Sequence, residues 1–314
     1  MYILPQLSVK CLDYDQIGHK RLAIETSNHC KGECWWCVVP RSNSPSHPID
    51  DLMEKLDRFS GSFDSIHFMD NDLGGSPNRF FALCEQLANS PLKSMPKLGK
   101  MRVDSVSPKL IDAAVEAGFK IISLGVESFN QGILDFLSKG IFSIQIRGVL
   151  DTLLLNRIKP GINLIMFSPP ETIGSLSQTL DMALKYAQLG AYLNIAERLY
   201  VSLITPRQVL ERFQHITHFE TIYFPGMLCP LDLPEFLIVE DADTRHVQEL
   251  ALARRKELEI GLLTNLDETS LSIPIRSLLL CGAISEVLGE KDLTRLTSEI
   301  VTTTLEKEKR GQIL

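Results

Sequence analysis

The chain has 314 residues, 44% hydrophobic and 23% charged, enough apolar material for one large α/β domain and an appendage. Its net charge of −7 and pI near 5.6 argue against a general nucleic-acid surface, which needs a basic face, and so disfavour a tRNA or DNA substrate. Apolar runs such as 153–155 and 278–283 fall well short of membrane-spanning length, the N-terminal stretch lacks a secretory layout, and an odd count of seven cysteines speaks against a disulfide framework, so the expected compartment is reducing and cytoplasmic.

In chain order, residues 1–19 read as an N-terminal extension and 20–205 as a run of βα units. RLAIET is the first expected strand, followed by a cysteine-bearing loop and a helix at 49–59 opened by Asp50 and Asp51. SIHFMD, KMRVD, KIISLGVES, INLIMF and YLNIA are the strands that follow. Helices stand between them at 79–89, after Ser107–Pro108, at 129–138, at 143–156 and from Thr172 to near Gly190. Ser107 is a natural N-cap, Pro108 fits the first helical position and Gly118 lies past the end. Six such units predict a partial (β/α)6 barrel of the TIM type, with chemistry on the loops after the strand C-termini. Residues 206–314 read as a mostly helical region, with helices near 240–258, 275–288 and 291–309, packed on either the mouth or the bottom of the barrel.

The loop after the first strand reads CKGECWWC, with Cys30, Cys34 and Cys37 in CxxxCxxC spacing. A short irregular loop lets three thiolates converge, and three thiolates on a four-iron cluster leave one iron without a protein ligand. A structural zinc site is the alternative, and it would need a fourth ligand from His29 or a distant thiol. Cys11, Cys84, Cys229 and Cys281 stand alone, which leaves no ligands for a second cluster. His215 and His218, in HITH, read as surface residues because no third ligand stands at a fixed spacing.

CxxxCxxC with Trp36 before the last cysteine resembles the signature of the radical S-adenosylmethionine (radical SAM) enzymes. The resemblance implies a [4Fe-4S] cluster on Cys30, Cys34 and Cys37 whose open iron chelates S-adenosyl-L-methionine (SAM). One electron then cleaves SAM to a 5′-deoxyadenosyl radical that takes a hydrogen from substrate. It also implies the partial barrel and an electron donor such as flavodoxin or ferredoxin. MDNDLGGSP departs from the family's GGE-like motif but places Asp70, Asn71 and Asp72 where that motif contacts the methionine amino group. GVES resembles the ending found in the branch with cobalamin-dependent and elongator-type members, implying ribose or amino-group contacts from Glu127 beside Ser128. Arg102 is expected to pair with the SAM carboxylate, with Glu127 or in a structural ion pair, and the backbone at Trp36 to meet adenine. SPPET resembles a turn of the same family and reads as structural, with Thr172 as cap.

Only 29 residues precede Cys30, so no N-terminal cobalamin domain is expected. The reading is a single-cluster enzyme acting on a small-molecule substrate by rearrangement, cyclisation, elimination or dehydrogenation. A methyltransferase with non-standard corrinoid use and a non-catalytic metal-binding scaffold are the alternatives. Cys11, Cys229, Tyr200 and Tyr223 are candidate hydrogen-atom donors by residue type.

Overall fold

Short apolar strands alternating with capped helices build the sheet in sequence order. The computed structural model describes residues 9–13, 20–27, 30–37, 46–59, 61–201, 207–222, 231–266 and 270–310. Its main sheet has seven strands in the order β1-β2-β3-β4-β5-β6-β7: β1 (Val9–Asp13), β2 (Lys20–Ile24), β3 (Ser65–Phe68), β4 (Lys97–Arg102), β5 (Phe119–Glu127), β6 (Lys159–Ile165) and β7 (Tyr192–Ala196). From β2 onward each strand pairs in parallel with the next, the partial (β/α)6 barrel expected of six βα units. The N-terminal extension contributes one strand, since β1 lies antiparallel on β2.

Helices α1 (Ile49–Phe59), α2 (Pro77–Ala88), α3 (Pro108–Glu116), α4 (Gln131–Phe136), α5 (Ser143–Leu155) and α6 (Ile173–Gln188) connect the strands. Ser107 caps α3 by accepting the Leu110 amide, and Thr172 caps α6 by accepting the Ser175 amide. Gly118 follows α3 at φ +84°, with Lys93 O only 2.3 Å from where a Cβ would stand, so glycine is required there. A single apolar core runs between the sheet and these helices, filled by Phe68, Phe80 and Phe119 among others.

Past β7 the chain forms a second sheet before it turns helical. Strands β8 (Leu199–Tyr200), β9 (Thr217–Ile222) and β10 (Leu231–Leu237) assemble antiparallel in the order β8-β10-β9, with helix α7 (Arg207–Arg212) beside them. The sequence reading missed this sheet because β10 contains Pro234, a strand breaker, and the register shifts at that point. Helices α8 (Ala242–Leu266), α9 (Ile273–Val287) and α10 (Lys291–Lys309) follow. Ser277 on α9 accepts the Ile195 amide at 3.1 Å, so α9 covers the open edge at β7 and satisfies one of its backbone donors.

The small sheet lies on the mouth of the barrel. Glu240, just past β10, donates its amide to Pro169 O in the turn after β6. Leu199, Val201, Phe213 and Leu237 share an apolar cluster with Ile133, Leu137 and Ile165, against which Trp35 and Trp36 pack. No helix among the described residues is long and apolar enough to cross a membrane.

Candidate active site

The cysteine loop follows β2 at the C-terminal mouth of the barrel, where βα barrels carry their chemistry. Residues 30–37 have no regular secondary structure beyond a turn at 35–36, closed by the Cys37 amide donating to Cys34 O at 3.1 Å. The Gly32 amide donates to Cys30 Sγ at 3.4 Å. Burial pushes the Cys30 thiol up, with the Gly32 amide opposing it. Cys34 is buried, and Cys30 and Cys37 are half-buried. Among the described residues no three His, Cys, Asp or Glu side chains stand together as ligands of one metal ion. His29, which a zinc site would recruit, lies outside the described residues, and a four-iron cluster would spread its thiolates over several irons.

Arg102, at the end of β4, reaches across the mouth to this loop. Its Nη1 stands 3.5 Å from Cys34 Sγ, its Nη2 donates to Lys139 O at 2.6 Å, and its Nε donates to Asp104 Oδ1 at 2.8 Å. Burial alone would lower its pKa, but the hydrogen bond and charge of Asp104 raise it further. The guanidinium lies over Gly32, where a Cβ would sit 2.1 Å from Nη1. The loop glycine is therefore the space in which Arg102 lies. Lys31 closes the same corner, donating to Asp104 O at 2.9 Å.

Glu127 ends β5 in an unusual conformation. Its φ is +66°, and the register with β6 shifts between Gly125 and Glu127. A left-handed non-glycine residue costs about 1 kcal/mol or more and is held only by its surroundings. The carboxylate meets Lys139 Nζ at 2.7 Å, with side-chain exposures of 9% and 6%. Burial pulls the lysine pKa down, but the charge and hydrogen bond of Glu127, together with Cys34, outweigh it and the ammonium is held above its ordinary range. Gly125 leaves room for the pair, since a Cβ there would lie 2.8 Å from both Glu127 Oε1 and Lys139 Nζ. Glu127 thus pairs with Lys139, while Arg102 pairs with Asp104.

Lys139 is the buried cation of the mouth that the sequence reading missed. In LSKG it looks like an ordinary cation at a helix C-terminus, but Ser138 at φ +48° and a Lys139 amide bond to Leu134 O turn it back into the barrel. A usable signal was the need of a buried strand-end glutamate for a counter-charge.

The acidic segment after β3 splits by role. Asp70, 0% exposed, accepts the amides and hydroxyls of Thr26 and Ser27 in four bonds of 2.7–2.9 Å. It fixes the chain as it leaves β2 for the cysteine loop. Asp72 accepts the Arg102 amide at 3.0 Å and Ser105 Oγ at 2.8 Å, and burial raises its pKa against those bonds. Asn71 between them is half-buried and makes contacts of its own. Ser128 is committed to Thr179 Oγ1 at 3.0 Å and to the Asn130 amide.

Trp35 anchors the loop to the small sheet: it stacks on Phe213 at 4.9 Å, meets Phe136 edge-on and donates Nε1 to Phe136 O. Trp36 is half-buried, and its Nε1 is a buried donor with no partner among the described residues. Such an orphan is costly unless a ligand atom accepts from it. Tyr200 lies on β8 against Phe236 and is 46% exposed. His218 sits on β9, stacked on Phe236, while His215 lies in a 3-10 turn, so HITH is not helical. Cys229, Tyr223, His29 and the Cys11 side chain lie outside the described residues.

No protein-family model matches the sequence. A provisional methylthiotransferase of Methanocaldococcus jannaschii is 25% identical over 144 residues, covering 42% of this chain and 32% of that protein. Among solved structures, the methyltransferase TsrM of Kitasatospora setae, with tryptophan and a SAM analogue bound, aligns over 87% of this chain and 61% of its own, at TM-score 0.61 and 13% identity. The cobalamin-dependent radical SAM enzyme OxsB, with aqua-cobalamin and SAM bound, aligns over 93% of this chain and 55% of its own, at TM-score 0.59 and 17% identity.

The chain shares the partial-barrel fold of these enzymes. It spans about a third of the curated relative it matches and 55–61% of these structures. Both structural alignments cover more than four fifths of this chain, so the radical SAM fold likeness extends past the barrel into the small sheet and terminal helices.

Proposed function

We propose that the protein is a radical SAM enzyme that holds a [4Fe-4S] cluster on Cys30, Cys34 and Cys37 and acts on a small molecule. The observation that carries this reading is one loop at the barrel mouth bearing three thiols, with the buried Cys34 beside the guanidinium of Arg102. Such a cluster supplies the electron that cleaves bound SAM to a 5′-deoxyadenosyl radical. Within the chain, Asp70 fixes the approach to the loop and Trp35 pins its far end to Phe213. Trp36 Nε1, without a partner among the described residues, is assigned as a donor to SAM or substrate, and Asn71, Asp72, Arg102 and Glu127 are assigned to the wall that SAM would face. The small sheet over the mouth limits access of water to the site.

The test is anaerobic reconstitution with iron and sulfide, followed by metal analysis and electron paramagnetic resonance (EPR) of the dithionite-reduced protein. A reduced iron–sulfur signal in wild type that is lost in Cys34→Ala supports the reading. Bound zinc, or iron retained equally by both proteins, opposes it. A second reading, cobalamin-assisted methyl transfer, is favoured by the alignment of cobalamin-binding OxsB and TsrM along most of this chain. Its test is whether added cobalamin changes the products formed from SAM.

A further inference from the structure

The function proposed above assigns Arg102 no role beyond the wall of the site, yet its placement is more specific than a wall requires. We propose that Arg102 is a positioning residue that tunes the electron affinity of the iron–sulfur centre through the sulfur of Cys34; this rests on the cluster assignment to Cys30, Cys34 and Cys37.

Three observations carry the proposal. The guanidinium is fixed in place, because Asp104 takes Nε at 2.8 Å and Nη2 at 3.3 Å, and the Lys139 carbonyl takes Nη2 at 2.6 Å. Those partners leave Nη1 to point at Cys34 Sγ, 3.5 Å away. The loop is also built around that arm, since any side chain at residue 32 would overlap Nη1. A second buried cation at the mouth, Lys139, is held by Glu127 at 2.7 Å. Arg102 is 6% and Lys139 5% exposed, so water screens neither strongly.

The direction follows from charge. One-electron reduction, with the electron supplied by dithionite in the assay and by a low-potential protein donor otherwise, adds negative charge shared by the cysteinyl sulfurs. A donor and positive charge on Cys34 stabilise that state more than the oxidised one, so they raise the potential. Asp104 neutralises part of the guanidinium charge from the far side, which leaves the directed N–H to sulfur contact as the main effect.

The experiment is an EPR-monitored redox titration of reconstituted wild type, Arg102→Lys and Arg102→Gln, each checked first for iron and sulfide. Arg102→Gln is expected to shift the oxidised-to-reduced ratio at a given potential about tenfold toward oxidised, equivalent to about 59 mV for a one-electron couple. Arg102→Lys, which keeps the charge and loses the fork, should fall between. If Arg102→Gln fails to retain a cluster, Arg102→Lys decides alone through a shift in the same direction. Wild-type potentials in the variants that retain a cluster, or a shift toward reduced, overturn the proposal while leaving the cluster assignment standing. A wild-type protein that takes up no cluster defeats the assignment itself.

Discussion

Replacing Lys139 by methionine removes one half of the ion pair that holds Glu127 in its left-handed conformation. The two groups meet at 2.7 Å with side chains 6% and 9% exposed, and a carboxylate left unpaired in such a place costs about 3–5 kcal/mol. Glu127→Gln removes the opposite half and strands the ammonium, at a similar cost of about 3 kcal/mol. The double variant carries neither charge, and its remaining losses are one hydrogen bond and imperfect packing, about 2–3 kcal/mol. The coupling energy should therefore be about 3–5 kcal/mol, larger than for almost any surface pair. Urea unfolding of wild type, both single variants and the double variant, with m-values compared, measures it. A double variant whose loss equals the sum of the single losses within about 0.5 kcal/mol would show that the pair is not desolvated in solution, and the buried charge network at the mouth would have to be abandoned.

Glu171, 2% exposed, has its pKa raised by burial from 4.5 to about 7, against hydrogen bonds from Ser175 and Ser168. The folded state therefore binds its proton more tightly than the unfolded state, and that stability, present below about pH 4.5, is lost as pH rises through about 7. Glu171→Gln should match wild type near pH 4.5 and exceed it by about 3 kcal/mol near pH 8, which unfolding curves at both pH values would record. Gly32→Ala should displace the pinned Arg102 arm and cost about 1–3 kcal/mol, seen as a lower unfolding midpoint and faster loss of iron. Trp35→Ala deletes the stack on Phe213 and the bond to Phe136 O. It should cost about 3 kcal/mol and raise the proteolytic sensitivity of the cysteine loop without unfolding the barrel.

The barrel was legible because its strands are short apolar runs and all but the last lead into a helix. Ser107–Pro108 and Thr172 made that punctuation explicit, and both act as caps in the structure. The cysteine loop was legible because its spacing is local. What the sequence hid depends on contacts far apart in the chain. The pair Glu127–Lys139 needs the left-handed turn at Ser138, and no side-chain pattern announces it. The bond from Arg102 to Cys34 spans 68 residues. Asp70 read as a cofactor contact from its place after the second strand, yet all four of its described bonds go to Thr26 and Ser27, a partnership visible only once β2 and β3 lie side by side. The small sheet escaped because Pro234 and its neighbours resemble a loop, whereas the paired register tolerates the proline at a bulge.

The central claim, that these residues support reductive cleavage of SAM, is tested most directly by incubating the anaerobically reconstituted protein with dithionite and SAM and quantifying 5′-deoxyadenosine by mass spectrometry, with Cys34→Ala as control. The account predicts deoxyadenosine from wild type and none from the control. Equal amounts from both, or none from a wild-type protein whose cluster is intact and whose EPR signal does not respond to SAM, would contradict it.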